Sequence, residues 1–121
     1  MILVDSSVWV DHLRGGDSLL AELLNRSQIL AHPFLIGELA LGSLRQRDVV
    51  LDALRDLPQA IVASDEEVMG FIDQHRLFGL GIGHVDVHLL AATQLTPDAA
   101  LWTRDKRLCA VAQRLAVAAD L

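Results

Sequence analysis

Short apolar runs alternate with longer segments of helical periodicity along the whole of this chain, and few architectures accept that order. The apolar runs are Ile2–Val4, Gln28–Ala31, Ala60–Ala63, Ala99–Trp102 and Ala116–Ala118, which predict five strands. Between them, helices are expected at Ser7–Leu13, about Leu19–Asn25, Pro33 to about Leu44, and about Asp48–Asp56. Three more are expected from Ser64 to about Leu77, over His84–Leu95, and over Asp105–Leu115. The punctuation supports these limits. Gly15-Gly16 closes the first helix, Asp17-Ser18 caps the second, and Pro33 opens the third. Leu57-Pro58 stops the fourth, and Ser64 with Glu67 forms a capping box for the fifth. Gly79–Gly83 is a glycine-rich loop before the sixth.

Strands joined through helices pair in parallel and are covered on both faces, so the fold class is α/β. With 121 residues and 52% apolar content, the chain is expected to form a single domain over 1–121 with a real core. The single Cys109 excludes an intramolecular disulfide and suits a reducing compartment. Neither a signal-peptide pattern nor an apolar run of about 18 residues is present, which predicts a cytoplasmic protein without a membrane partner. Ligands of such sheets bind beyond the carboxyl ends of the strands. Asp5 follows the first strand directly and Asp105 follows Trp102 by three residues, so both are expected on that rim.

Two further acids stand out among the sixteen. Glu38 lies in "PFLIGELALG", where every other residue is apolar, Gly or Pro, so the helix is expected to be buried all round. Asp86 lies in "GHVDVHLLAATQL" with Leu89, Leu90 and Thr93 on its stripe. Each acid has a plainer explanation. Glu38 could reach solvent or a buried cation, and the three aspartates could serve as helix caps or first-turn acids. Together they predict one cluster, and like charges that close need a hard divalent cation, Mg²⁺ or Mn²⁺. A zinc site competes on paper, because His84 and His88 share a helix face at i, i+4. Asp86 points away from that face and no third ligand is evident, so helix packing is the simpler role for both histidines. Cys109, beside Leu108 and near Val111, reads as a small core residue.

The segments "LVDSSVWVDHL", "GELALG", "GHVDVHLLAA" and "LWTRDKRL" occur in this order over nearly the whole length, and with them the chain resembles the PIN-domain ribonucleases, especially VapC-type toxins of toxin–antitoxin pairs. The resemblance implies a PIN-like three-layer α/β/α fold with a five-stranded parallel sheet. It puts Asp5, Glu38, Asp86 and Asp105 on Mg²⁺ or Mn²⁺, with Asp105 acting directly or through water. Ser6 and Thr103 match hydroxyl residues that support these acids, whereas Trp9 and Trp102 are read as core. It implies metal-assisted hydrolysis of RNA to 5′-phosphate and 3′-hydroxyl ends. A small antitoxin would cover the pocket, the protein would form a homodimer, and operator DNA would be met only through the antitoxin.

The net charge of −6 argues against a polyanionic substrate. Setting the four clustered acids aside leaves −2, and Arg14, Arg45, Arg47, Arg104, Lys106 and Arg107 lie near them in sequence as candidates for RNA phosphates. Two other classes have to be weighed. An aspartyl-phosphate switch would need a second acid motif after the first strand, which "DSSVW" lacks, and it would leave Glu38 without a role. A pure binding module would use the apolar helices near Leu19–Leu24 and Phe34–Leu44 as a docking groove.

Overall fold

A computed structural model describes residues 1–121. Three strands, β1 (Ile2–Val4), β2 (Ile29–Leu30) and β3 (Ala100–Trp102), form a parallel sheet in the order β2-β1-β3. Ile2 pairs with Ile29 on one side and Ala100 on the other, and Val4 pairs with Trp102. Leu3 and Val4 are both fully buried. Neighbours on a strand point to opposite faces, so both faces of the central strand are covered, as a three-layer α/β/α arrangement requires.

The expected five-stranded sheet is therefore reduced to three strands. The other two segments reach the sheet only through single parallel bridges, Ala31 with Gln59 and Leu101 with Ala118. Ala60 donates to the Ala31 carbonyl at 2.8 Å, and the next amide, Ile61, donates to the Thr96 hydroxyl at 2.9 Å. Successive amides of a strand point opposite ways, so the next donor toward β2 would be Val62, opposite Pro33, where α3 has already begun, and the ladder ends there. At the other edge Ala116 adopts a left-handed conformation (φ 59°) that turns the chain out of the last helix, and the ladder is confined to bonds made by Leu101.

Seven helices complete the fold: α1 (Ser6–Gly15), α2 (Ser18–Asn25), α3 (Pro33–Ala40), α4 (Arg47–Asp56), α5 (Asp65–His75), α6 (His84–Leu95) and α7 (Lys106–Arg114). Their starts follow the local chemistry. Asp17 accepts from the Leu20 amide at 2.9 Å. Ser64 and Glu67 form the reciprocal capping box that their spacing predicts. The third helix departs from expectation. It stops at Ala40 rather than Leu44, Leu41 is 91% exposed, and Gly37 and Glu38 face solvent. Only the Leu35, Ile36 and Leu39 side is buried, so Glu38 stands at an edge of the apolar stripe rather than inside it.

Twenty-six buried apolar residues form one core, dominated by leucines from every layer. No helix is long and apolar enough to cross a membrane.

Candidate active site

The carboxyl edge of the sheet begins at Asp5, whose amide donates to the Trp102 carbonyl at 2.9 Å, continuing the β1–β3 pairing by one residue. Its side chain is 4% exposed and caps α1, accepting from the Ser7 amide at 3.4 Å. Oδ2 also accepts from the Ser7 hydroxyl at 2.7 Å and the Thr103 hydroxyl at 2.8 Å. Those hydroxyls accept in turn. Ser7 Oγ takes the Arg104 amide at 2.9 Å and Thr103 Oγ1 the Asp105 amide at 3.1 Å. Two short relays thus fasten the β3–α7 loop to the first strand-end carboxylate. Ser6 lies farther off, 3.5 Å from Asp5 Oδ1. The tight contact of Ser7 is not anticipated from sequence, although a hydroxyl two residues after a capping aspartate is well placed to supply it.

The other acids enter from three elements. Asp86 sits in the first turn of α6 and its Oδ2 accepts from the Gly83 amide at 3.0 Å. Asp105 caps α7, with Oδ1 accepting from the amides of Arg107 at 2.9 Å and Leu108 at 3.1 Å. Glu38 projects from the exposed side of α3. The capping roles are therefore real for all three aspartates, and they leave an oxygen over. Asp5 Oδ1 has only the long Ser6 contact, and neither Asp86 Oδ1 nor Asp105 Oδ2 has a hydrogen bond.

Glu38 and Asp86 both feel neighbouring acids. The Glu38 carboxyl is partly desolvated although the residue is exposed overall, and this, with the charges of Asp5 and Asp86, pushes its pKa above the ordinary glutamate value. A Ser6 hydrogen bond opposes the shift. Asp86 is also pushed up, first by desolvation and then by Asp5 and Asp105, against the Gly83 hydrogen bond. Asp5, Glu38, Asp86 and Asp105 thus share one electrostatic field, linked through Asp5 and Asp86. No group of three or more His, Cys, Asp or Glu side chains is placed to hold a metal ion directly. The donor set nonetheless fits a hard divalent cation: hard oxygens only, mutual repulsion that a cation would relieve, and free oxygens on the capping acids. Mg²⁺ keeps several of its waters, so not every one of these acids would have to bind it directly.

The cations divide into two groups. Arg104 is committed, forming ion pairs with Asp11 at 2.6 Å and with Asp17. The Leu20 amide and Arg104 together hold the Asp17 carboxyl below the usual aspartate value. Arg47 donates to the Ala40 carbonyl at 3.1 Å and closes the α3–α4 connection. Arg14 and Arg45 instead line a groove of about 610 Å³ that also contains Ser6 and Glu38. Leu39 and Leu44 from the third expected helical segment line the same groove, but nothing from Leu19–Leu24 does. Lys106 is exposed at the start of α7.

The histidines of the zinc alternative pack edge to face at 4.6 Å between centroids, His84 exposed and His88 buried with its ring 4.4 Å from Phe34 by centroid. Both of its ring nitrogens lack a partner. Packing is the role the structure gives it.

Compared with protein-family models, the chain matches none. Among characterised proteins it is 51% identical over 118 residues to Ribonuclease VapC32 of Mycobacterium tuberculosis, an alignment covering 98% of this chain and 95% of the relative. It is 34% identical over 116 residues to Ribonuclease VapC19 of the same organism, covering 88% of this chain and 90% of the relative. With identity at this level across almost its whole length, the chain belongs to the family of VapC-type PIN-domain toxins.

Proposed function

We propose that the chain is a Mg²⁺- or Mn²⁺-dependent endoribonuclease acting as the toxin of a type II toxin–antitoxin pair. The observation that carries this reading is the shared field of Asp5, Glu38, Asp86 and Asp105 at the carboxyl edge of the sheet. When bound, the cation supplies Lewis-acid activation of phosphate and water. The chain's own part is positional. Hydrogen bonds lock Asp5 Oδ2 and leave Oδ1 with only the long Ser6 contact, which makes Oδ1 the oxygen available to a cation. Glu38 and Asp86, partly desolvated beside other acids, would have their charged forms favoured by a bound cation. Arg14 and Arg45 offer charge to RNA phosphates beside Glu38.

The identities to the two ribonucleases support RNA as substrate and an antitoxin as partner. The groove beside Glu38, with apolar walls and two arginines, suits an amphipathic antitoxin segment that occludes the acids. Homodimerisation, and operator DNA contacted only through the antitoxin, belong to the same proposal. The direct test is Asp5→Asn. The variant should remain folded by circular dichroism and lose Mg²⁺-dependent cleavage of total RNA. Undiminished cleavage by the native protein in excess chelator would overturn the metal requirement.

A further inference from the structure

Five of the ten Lys and Arg side chains, those of Arg26, Arg47, Arg55, Arg104 and Arg114, are engaged in ion pairs or bonds to carbonyls. Arg107 is not. It is exposed on the first turn of α7, two residues after Asp105, and its guanidinium makes no ion pair. Yet it has a seat. A Cβ added to Gly81 would stand 2.5 Å from Arg107 Nη1 and 3.1 Å from both Cδ and Cζ, so the side chain lies directly against the bare glycine backbone. Gly81 has φ 76°, a left-handed conformation that favours glycine.

The place matters as much as the contact. Gly83, two residues on, donates its amide to Asp86 Oδ2 at 3.0 Å. Two residues of chain span at most about 7 Å, so the Arg107 guanidinium lies no more than roughly 13 Å from that carboxylate. Asp105, whose Oδ1 accepts from Arg107's own amide, is one of the charges that act on Asp86. Arg107 and the pair Arg14 and Arg45 therefore belong to different walls of the site. Arg14 and Arg45 share the groove with Glu38 of α3, while Arg107 rests on the loop leading into α6.

We propose that Gly81 is a positioning residue that seats Arg107 as a phosphate clamp for the RNA strand on the α6–α7 side of the acids. This rests on the nuclease reading and adds the route of the strand: Arg14 and Arg45 hold it on one side of the reacting phosphate and Arg107 on the other. A single guanidinium presents a planar fork that matches two phosphate oxygens. Seating it on backbone fixes the fork without consuming its donors, as an ion pair to a carboxylate would.

The test measures binding without cleavage. A fluorescent single-stranded oligoribonucleotide is titrated with Asp5→Asn protein in Mg²⁺, alone and combined with Arg107→Gln, Gly81→Ala, or both. Arg107→Gln should weaken the dissociation constant roughly three- to tenfold. It should also lower the slope of log affinity against log salt by about 0.7, the loss of one single-strand phosphate contact. Gly81→Ala should do the same, because the new methyl displaces the arginine. Adding Gly81→Ala to Arg107→Gln should change binding no further. Thermal melts separate out backbone strain, which Gly81→Ala introduces in both backgrounds, whereas Arg107→Gln, being exposed, leaves the fold intact. Parental affinity and salt slope in Arg107→Gln would overturn the clamp. So would a Gly81→Ala effect that persists in full without Arg107, or the absence of any RNA binding by the parent. The nuclease reading is judged apart, by metal-dependent cleavage of the same RNA with Asp5 intact. Its failure would leave the binding comparison standing.

Discussion

Replacing Thr103 with Val keeps the shape of the side chain and removes one hydroxyl. That hydroxyl donates to Asp5 Oδ2 at 2.8 Å and accepts the Asp105 amide at 3.1 Å. A hydrogen bond to a charged group contributes about 1.5–3 kcal/mol to stability. The site is only partly buried, and the freed Asp105 amide, on an exposed residue, can turn to water. The lower end of that range, about 1.5 kcal/mol, is therefore expected for Thr103→Val. For a chain of this length that corresponds to a fall in Tm of about 5 °C. The loss of activity should be larger than the loss of stability suggests. One hydroxyl sets both Asp5 and the start of the loop bearing Asp105, and removing a supporting hydrogen bond of this kind typically costs 10–100-fold in metal affinity or activity. Ser7→Ala should behave similarly, since Ser7 Oγ bonds the same Asp5 oxygen and the Arg104 amide. The double variant should fall short of the sum, because the two hydroxyls share one acceptor. Calorimetry and cleavage at saturating Mg²⁺ measure both quantities. A Thr103→Val protein within about 0.5 kcal/mol of the native one and fully active would refute the idea that these relays hold Asp5 in place.

Glu38 and Asp86 make the apoprotein sensitive to pH in a predictable direction. Their folded pKa values lie above the ordinary 4.5 and 3.8, so within the shifted window the folded state binds more protons than the unfolded one. Their contribution is most favourable below those ordinary values and is lost as pH rises through the raised ones. Glu38→Gln should therefore melt higher than the native protein near neutrality without divalent cations, and match it in acid, where Glu38 is protonated. Saturating Mg²⁺ should narrow or reverse the neutral-pH difference. A lower Tm for Glu38→Gln at neutral pH in chelator would sink this account. His32 gives the opposite sign. It is fully buried, and burial followed by the His88 charge lowers its pKa from 6.5 to about 4. Stability linked to it is complete above 6.5 and lost as pH falls through 4, by up to roughly 3 kcal/mol. His32→Asn, which retains an acceptor for the Phe34 amide, should flatten the stability profile over that interval in urea titrations. An unchanged slope would exclude His32 as the source.

Much of this fold is legible in the sequence because much of it is set locally. The capping box of Ser64 and Glu67, the Asp17 cap and the bounds of α6 all depend on residues within a few positions of one another. The misjudged elements depend on distant partners. Nothing within Ala60–Ala63 reveals that the position it would next pair with is Pro33, at the start of α3. The run around Glu38 reads as buried throughout, since the sequence does not show that α3 leaves one side uncovered. At the site, the acids stand out because a carboxylate among apolar residues is conspicuous one at a time. The commitment of Arg104 does not, because Asp11 and Asp17 lie 93 and 87 residues away. A cluster of basic residues in sequence therefore resolves in space into one structural arginine and others with free charge.

The fastening of Asp5 to Thr103 has a consequence for how the pocket comes into being. The two residues are separated by 98 positions, and β1, which carries Asp5, lies between a strand from the first quarter of the chain and one from the last. Contacts of such separation form late, after the loops between them have closed. On the ribosome, where synthesis runs from the amino terminus, a nascent chain lacking residue 103 has no assembled acid pocket, however well its early helices are formed. The geometry that would make the chain harmful to its host thus exists only in a nearly finished molecule, and truncated products are disarmed by topology alone.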